Sequence, residues 1–590
     1  LSQSPEAKPA TDATGAAEPN FGFEDSRRLP GPNRYFGSPA VTLSALGLPA
    51  SDPQVRAEWA RRVRAMAAGL GWPDPEPRVV QRAGAVLLLL RAPPDALLTA
   101  TEVNEWAWER AAAAAGPYAF DLAQDLGEDA AAVFATRAAA ERLPALVALR
   151  EAAAGRGVAF IEDDAEVSVG MGKGSRRWPR DDLPACAEVA WTHVHDVPCA
   201  LVTGSNGKTT TARLIAATAA AAGLVPGLCC TEGVFVGDLA ISRGDYAGPD
   251  GARRILRHPD VEAAILETAR GGILRRGLAL QRADVAVVTN ISADHLGEYG
   301  VDDAQDLAAT KLVVAHAVRG AGTLVLNADD PVLMAAADAP GPAAGVRLAL
   351  FAQSYDHAAL LSGRSRGGAT CGVRGGELWL SSGGEEQRLG AIAAMPLTVG
   401  GAAVYNVANL AAAALASLVL RLPQARLIEV LHRFGSDPRD NPGRLERWTF
   451  RGAEVLIDYA HNPDGLAALL GVARSLRPQR LALLLGQAGN RDATAIRELA
   501  ATAARFAPDR IMLKELPLML RGRALGEVPR LLEAALLEAG VPEQRIGFEA
   551  DELAAANLLL DDALPGDVIV LPVHTNMVRE PLRARLELVR

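Results

Sequence analysis

Leu201-Val-Thr-Gly-Ser-Asn-Gly-Lys-Thr-Thr-Thr211 decides how this chain is read. The apolar run Ala200-Leu201-Val202 feeds a glycine turn, and an alanine-rich stretch that reads as a helix follows the threonines. That is strand, phosphate loop, helix. Gly204, Ser205, Asn206 and Gly207 form the turn, whose backbone N–H groups, with those of the helix start, cradle an anion. Lys208 belongs on the outer phosphates of a nucleotide. The Thr209 hydroxyl belongs on a magnesium ion, with Thr210 beside it. The common pattern places a glycine five residues before the second one. That place is Val202 here, so the loop is shorter than in common P-loop proteins. A glycine turn ahead of any helix is the plain structural reading, and Gly-Lys-Thr after an apolar strand outweighs it.

The chain has 590 residues, which predicts three or four domains at about 150 residues each. Hydrophobic residues make up 49% and charged residues 22%, ordinary for a globular protein. A net charge of −10 argues against a dedicated nucleic-acid binder, which is basic on balance. No run of about 18 apolar residues occurs, so no membrane span is expected. The first residue is leucine and no secretory leader is expected. The five cysteines show no CxxC spacing, and a reduced cytoplasm is the simplest compartment. Cys229-Cys230 reads as a buried strand end rather than a reactive pair.

Residues 1–20 are rich in Ala, Pro, Thr and Ser and read as a disordered tail. Arg27–Phe36, RRLPGPNRYF, is a turn or extended segment, because Pro-Gly-Pro-Asn does not continue a helix. Val55–Leu70, Leu97–Ala115 and Ala130–Gly155 read as helices, and Val79–Leu90 as two short strands. Together 21–165 form a small α+β domain. Glycines and a basic cluster in Asp163–Thr192 suit either an anion-touching loop or an inter-domain linker, here drawn at 166–196. His193 and His195 would share a face on a strand, but a metal site needs more ligands.

From Ala200 strands alternate with helices. Ala263–Glu267 leads to Thr268-Ala-Arg270-Gly-Gly272, Val285–Thr289 to Asn290-Ile-Ser-Ala-Asp294-His295, and Gly322–Leu326 to Asn327-Ala-Asp-Asp-Pro331. Polar residues thus collect beyond strand ends, where open parallel sheets bind ligands. Magnesium takes oxygen ligands and keeps several waters. Glu267 suits one ion beside Thr209, and His295 a second. Asp294 also suits a helix cap. Gly363–Gly401 reads as hairpins, with strands at Gly376–Ser381 and Pro396–Val399. Val404–Leu420 opens a helix with Asn406 and Asn409 on one face, a pair able to read a purine edge. Asp440-Asn-Pro-Gly-Arg444 is a hinge. Beyond it, strands at Glu454–Asp458, Leu481–Leu485, Ile511–Leu513 and Val568–Leu571 and a helix at Gly465–Ser475 make a Rossmann-like domain.

The order TGSNGKTTT, ETARGG, TNISADH, NADDP, NPGR, DYAHNP resembles the Mur ligase superfamily. Glu267–Leu278, ETARGGILRRGL, and Leu520–Glu527, LRGRALGE, are similar to the C-terminal half of the cyanophycin synthetase family. Leu29-Pro-Gly-Pro-Asn33 and Thr101–Trp108, TEVNEWAW, resemble the N-terminal domain of that family. One departure is large. That family carries an ATP-grasp domain between these parts, and here only about Val167–Arg177 is similar to its start. The fold class implied is α/β. A central P-loop Mur ligase domain with a parallel sheet spans 197–438 and a C-terminal Rossmann-like domain spans 439–590, behind the α+β N-terminal domain.

The resemblance implies an ATP-dependent, ADP-forming carboxylate–amine ligase. A carboxylate would attack the γ-phosphate of ATP, and an amine would then displace phosphate from the acyl phosphate. Phosphoryl transfer needs positioning and charge neutralisation above all. By the same resemblance Lys208 neutralises the phosphates, Thr209 and Glu267 hold one Mg²⁺, and His295 with a carbamylated Lys311 holds the other. The plain reading of Lys311 is a solvated helix lysine. Asn409 would contact adenine, while Arg444 and Asp458 would contact ATP from across the hinge, which implies lobe closure. His461, Asn462, Arg521 and Arg523 are candidates for orienting the incoming substrate, and Arg270 for pairing with a carboxylate. The related enzyme joins arginine to an aspartate side chain, which makes amino acids or peptides the expected substrates and a homo-oligomer the expected assembly. A separate ATP-grasp protein would supply what this chain lacks. The alternatives are a non-catalytic partner of such an enzyme, against which stands the set Lys208, Thr209, Glu267, His295 and Lys311, and a P-loop small-molecule kinase, against which stand the displaced glycine and DYAHNP.

Overall fold

Eleven strands form the central sheet of this computed structural model, which describes residues 23–82, 84–115, 129–292, 297, 299–318, 320 and 322–588. The chain divides into two compact units, Leu1–Pro30 with Ser38–Leu143, and Gly31–Gly37 with Pro144–Arg590. The division falls at Leu143 rather than at 165, and a short arm, Gly31–Gly37, belongs to the second unit.

The first unit is an antiparallel sheet in the order Phe23–Leu29, Ala40–Leu46, Ala85–Arg91, Arg78–Arg82. Helices Pro53–Gly69 and Leu97–Ala115 pack on it. The first of these is capped by the Asp52 side chain, has proline at its start, and buries Val55, Trp59, Val63 and Met66. That spacing is one helical face. Trp59 Nε1 donates to the buried Asn104 Oδ1 at 2.9 Å. The helical region expected at Ala130–Gly155 is broken in two, Ala130–Glu141 and Pro144–Arg156, with Pro144 starting the second helix.

The stretch expected as a linker is folded. Phe160–Glu162, Glu166–Val169 and Arg176–Pro179 make a three-stranded antiparallel sheet. Buried Arg257 ties it to the large sheet's helical layer, donating to Ser168 Oγ at 3.2 Å and Glu166 O at 2.9 Å and pairing with Asp163. The anchor lies ninety residues downstream, beyond what local composition shows. His193 ends a 3-10 turn, Trp191–His193, so the strand on which it would share a face with His195 does not form. Among the described residues no cluster of three His, Cys, Asp or Glu side chains could hold a metal ion.

Seven strands of the central sheet are parallel: Pro226–Cys230, Ala263–Glu267, Cys199–Thr203, Val285–Val288, Thr323–Asn327, Arg347–Ser354 and Thr370–Arg374, in that spatial order. Antiparallel hairpins close both edges. Both faces are covered, which is why these strands read as unbroken apolar runs. Ala200 and Val202 face helices Lys208–Ala221 and Val404–Val419, while Cys199 and Leu201 face the other layer. Pro396–Val399, expected as a strand, is a 3-10 turn over Pro396–Thr398, locked by the Thr398 hydroxyl on the Ile392 and Met395 carbonyls.

The last lobe is a six-stranded sheet in the order Glu446–Phe450, Ala453–Asp458, Val568–Pro572, Leu481–Leu485, Arg510–Leu513, Ile546–Phe548. Only its first pair is antiparallel. Among the described residues no helix is long and apolar enough to cross a membrane.

Candidate functional site

The phosphate loop leaves the carboxyl end of strand Cys199–Thr203 and enters helix Lys208–Ala221. Gly207 stands at φ 82°, in the left-handed region, and a side chain there would drive into Asn409 Oδ1. Only glycine fits both demands. The loop is held from the next strand end. Asn206 N donates to Asn290 Oδ1 at 2.9 Å, Ser292 N donates to Ser205 Oγ at 3.0 Å, and the Thr289 hydroxyl donates to Asn206 O at 2.5 Å. Lys208 Nζ folds over the loop onto Ser205 O at 3.0 Å.

Thr209 Oγ1 donates to Glu267 Oε2 at 2.8 Å and lies 3.0 Å from the Thr231 hydroxyl. Glu267 is 1% exposed. Thr231 follows the end of strand Pro226–Cys230, and its hydroxyl lies 3.4 Å from Glu267 Oε1. Two hydroxyls and a carboxylate at a helix start are hard oxygen donors, a set that fits Mg²⁺ and not a soft metal. A cation already faces them: Arg444 Nη2 is 3.4 Å from each hydroxyl.

Arg444 comes from the last lobe, and it is not alone. Asn441 Nδ2 donates to Thr210 Oγ1 at 3.1 Å, and Asn462 Nδ2 to Asn206 Oδ1 at 3.1 Å. Asn462 also caps helix Pro463–Ser475 through its other side-chain atom. Between the lobes lies a cavity of about 340 Å³. Its central-lobe wall includes Gly207, Thr210 and Asn409, and its other wall includes Leu445, Asp458 and His461. Asn409 Nδ2 donates to Asn406 Oδ1 at 3.0 Å, so the two buried amides on one helical face are coupled. Asp458 takes the backbone N–H groups of Leu445 and Ala460 at 2.6 and 2.7 Å. Burial pushes its carboxyl up, against the pull of Arg444 and those N–H groups. Burial also pushes the Tyr405 phenol, another cavity residue, well up.

The structure therefore gathers Ser205, Asn206, Gly207, Lys208, Thr209, Thr210, Asn409, Arg444, Asp458 and His461 around one cavity, with Asn462 bonded to Asn206 and Glu267 behind Thr209. Gly204, at φ 145°, packs on Thr289 at the start of the loop. Asp294 and His295 lie outside the described residues. Lys311 ends helix Ala304–Lys311 and is 3% exposed, so the reading of a solvated helix lysine does not hold. Arg270 is buried at the start of helix Arg270–Arg276. Arg523 donates to the carbonyls of Gly489 and Arg491 and pairs with Glu527, so it braces a loop of its own lobe. Arg521 is exposed at φ 49°, and neither arginine lines the cavity. Sequence reading missed Thr231, Asn441 and the Thr289–Ser292 brace. The rule that polar residues cluster past strand ends, applied one residue beyond Cys230, finds Thr231.

A phosphate loop at the carboxyl edge of a parallel sheet, facing a second lobe across a cavity, defines the class: a two-lobed P-loop α/β protein. Residues 202–417 match the Mur ligase middle domain and residues 443–572 match the Mur ligase, glutamate ligase domain. The UDP-N-acetylmuramyl-tripeptide synthetase of Leifsonia xyli subsp. xyli is 30% identical over 416 residues, covering 66% of this chain and 73% of that protein. The cyanophycin synthetase of Synechocystis sp. is 35% identical over 390 residues, 66% of this chain and 44% of that protein. A bifunctional folylpolyglutamate synthase/dihydrofolate synthase structure from Yersinia pestis is 19% identical, with 66% of this chain and 88% of that chain covered and a TM-score of 0.48. The chain belongs to the Mur ligase family of ATP-dependent ligases. It spans less than half the length of the cyanophycin synthetases it matches, 42% to 44%.

Proposed function

We propose that this chain is an ADP-forming carboxylate–amine ligase that works through an acyl phosphate, joining an amino acid or similar amine to a carboxylate of an amino acid or peptide. The observation that carries the reading is Arg444 of the last lobe reaching Thr209 of the phosphate loop, because it puts charge-neutralising groups from both lobes on one site. In the first half-reaction a substrate carboxylate oxygen bonds to the γ-phosphorus of ATP as the bond to ADP breaks. In the second, the amine attacks the acyl carbon, inorganic phosphate leaves, and the amine nitrogen gives up a proton. Lys208 and Arg444 neutralise the phosphate oxygens, the role that such transfer chiefly demands. Thr209, Thr231 and Glu267 would hold a divalent cation, which supplies further neutralisation when bound. Asn409, oriented by Asn406, reads the adenine edge, and Asp458 orients the nucleotide from the other wall.

Phosphate release tests this directly, with ATP, Mg²⁺ and a panel of amines and carboxylates that includes arginine and aspartyl peptides. Release that needs both an amine and a carboxylate, and falls about a hundredfold or more in Lys208→Ala, is the expected outcome. Release that needs neither, or that survives in Lys208→Ala, sinks the reading.

A further inference from the structure

Helix Asn576–Glu587 belongs to the last lobe, and two neighbouring side chains on it cross to the central lobe. Arg579 Nη1 donates to Glu232 Oε2 at 2.7 Å, the guanidinium 2% and the carboxylate 11% exposed. Glu580 pairs with Arg243 at 3.4 Å, with both side chains open to solvent. The same helix thus makes one buried and one exposed ion pair across the same divide.

The buried pair leans on the site from three sides. Glu232 directly follows Thr231, whose hydroxyl contacts Thr209. The Arg579 guanidinium fills the space beside Gly443, which stands at φ 69°, and a side chain on Gly443 would overlap it. The next residue, Arg444, is the one that reaches the phosphate loop. Finally, Arg579 and Arg444 both lie over the Tyr459 ring, at 5.6 and 4.6 Å from its centroid. Tyr459 lines the cavity. Arg579 is fixed from behind by Val573 O at 3.2 Å.

We propose that the Arg579–Glu232 pair is the latch that seats the last lobe on the central lobe and thereby positions Arg444 and Tyr459 against the phosphate loop. Both are positioning residues, since neither lines the cavity. The proposal rests on the ligase reading for what Arg444 does, but the latch itself rests on geometry alone. A buried pair is weakly screened, and losing one partner strands a charge. An exposed pair such as Arg243–Glu580 contributes little. The latch therefore predicts unequal effects from two neighbouring residues.

The test uses the full chain, Mg²⁺ and a fluorescent N-methylanthraniloyl ATP, with small-angle scattering for lobe separation and thermal melting for folding. Glu232→Gln and Arg579→Gln each weaken nucleotide binding about tenfold and raise the radius of gyration, while Glu580→Gln stays within about twofold. The double variant Glu232→Gln/Arg579→Gln is weakened far less than the product of the two single losses, and the swap Glu232→Arg/Arg579→Glu recovers much of the binding. Single losses that multiply in the double variant overturn the latch, as do unchanged affinity and radius in Glu232→Gln. If Arg579→Gln does not fold, Glu232→Gln decides the matter by itself. Wild-type protein that binds no nucleotide overturns the ligase reading, and the scattering series still decides the latch.

Discussion

Glu267 is a carboxylate with almost no water around it, held by the hydroxyls of Thr209, at the start of a helix, and Thr231, just past a strand end. Such an arrangement is costly unless positive charge arrives to match it. Arg444 gives part of that match and a divalent cation would give the rest. Glu267→Gln keeps the shape and removes the charge. The Mg²⁺ concentration needed for half-maximal nucleotide binding is expected to rise at least about tenfold, read by titration with the fluorescent nucleotide. An unchanged requirement would remove Glu267 from the cation site. The cysteines make the opposite point. Cys229 and Cys230 end a buried strand, and burial pushes the Cys230 thiol up to about 11, against the pull of Arg213. Burial also pushes the Cys199, Cys229 and Cys371 thiols up, while Cys186 is half-buried. The thiolate is the reactive form. Iodoacetamide on the native protein is therefore expected to label Cys186 alone, and all five cysteines after unfolding, as read by mass spectrometry.

At the scale of elements, the end of the last sheet is knotted by three groups from three segments. Lys514 follows strand Arg510–Leu513, Glu552 starts helix Glu552–Asp561, and His574 follows strand Val568–Pro572. Glu552 takes the ammonium of Lys514 and the backbone N–H groups of His574 and Thr575, the latter two at 2.8 and 3.0 Å. His574 Nε2 lies 3.1 Å from Ala460 O, which fastens the knot to the cavity-lining loop. Burial opposes the charge on Glu552, yet Lys514 and His574 bring its carboxyl down to about 2 from an ordinary 4.5. Burial, then Lys514, keeps His574 well below its ordinary 6.5. Both groups bind protons more tightly unfolded than folded, so their stabilisation is present at neutral pH and lost in acid. The loss begins as pH falls through 6.5, from His574, and deepens from 4.5 toward 2, from Glu552. Glu552→Gln is expected to cost about 3–5 kcal/mol at pH 7 and to flatten the acid limb below pH 4.5, measured by denaturant melts across pH. An acid limb identical to wild type would exclude the knot as its source.

Strands buried on both faces, such as Ala263–Glu267 and Leu481–Leu485, carry an apolar run that leaves no other reading, and both stand where the sequence places them. The phosphate loop was legible because its spacing is itself the chemistry. Asp163–Thr192 was not, because its Gly, Arg and Pro content looks like a linker until Arg257 arrives from far along the chain. Pro396–Val399 departs from the expected strand for a related reason: a proline-led apolar tetrad fits a turn as well as a strand. Thr231 is a lone hydroxyl in an ordinary loop, and only the third dimension sets it beside Thr209.

At the scale of the whole molecule, the chain passes between its two units more than once. Gly31–Gly37 belongs to the second unit although the residues on both sides of it belong to the first. Proline and glycine keep this arm out of helix or strand, so its backbone groups must find partners elsewhere. Leu278 N donates to Pro32 O at 2.8 Å, and Asn33 is buried, folding its side chain back onto Tyr35 N and Phe36 N at 3.0 Å. Arg34 pairs with Asp306 and donates to Gly300 O at 3.1 Å. Asp306 sits in the first turn of helix Ala304–Lys311, the helix that ends in the buried Lys311. The arm thus braces the helix on which the Mur ligase resemblance places a site lysine. A largely buried, charge-assisted contact of this kind stabilises by about 1.5–3 kcal/mol. Arg34→Ala is expected to lower stability by that amount and to raise amide hydrogen exchange within Ala304–Lys311, leaving the last lobe's strands Leu481–Leu485 and Val568–Pro572 unchanged. Hydrogen-exchange mass spectrometry resolves the pattern. Exchange that rises equally in all these elements would show a general loosening and not a local brace. No rise in Ala304–Lys311 would show that the helix holds without the arm.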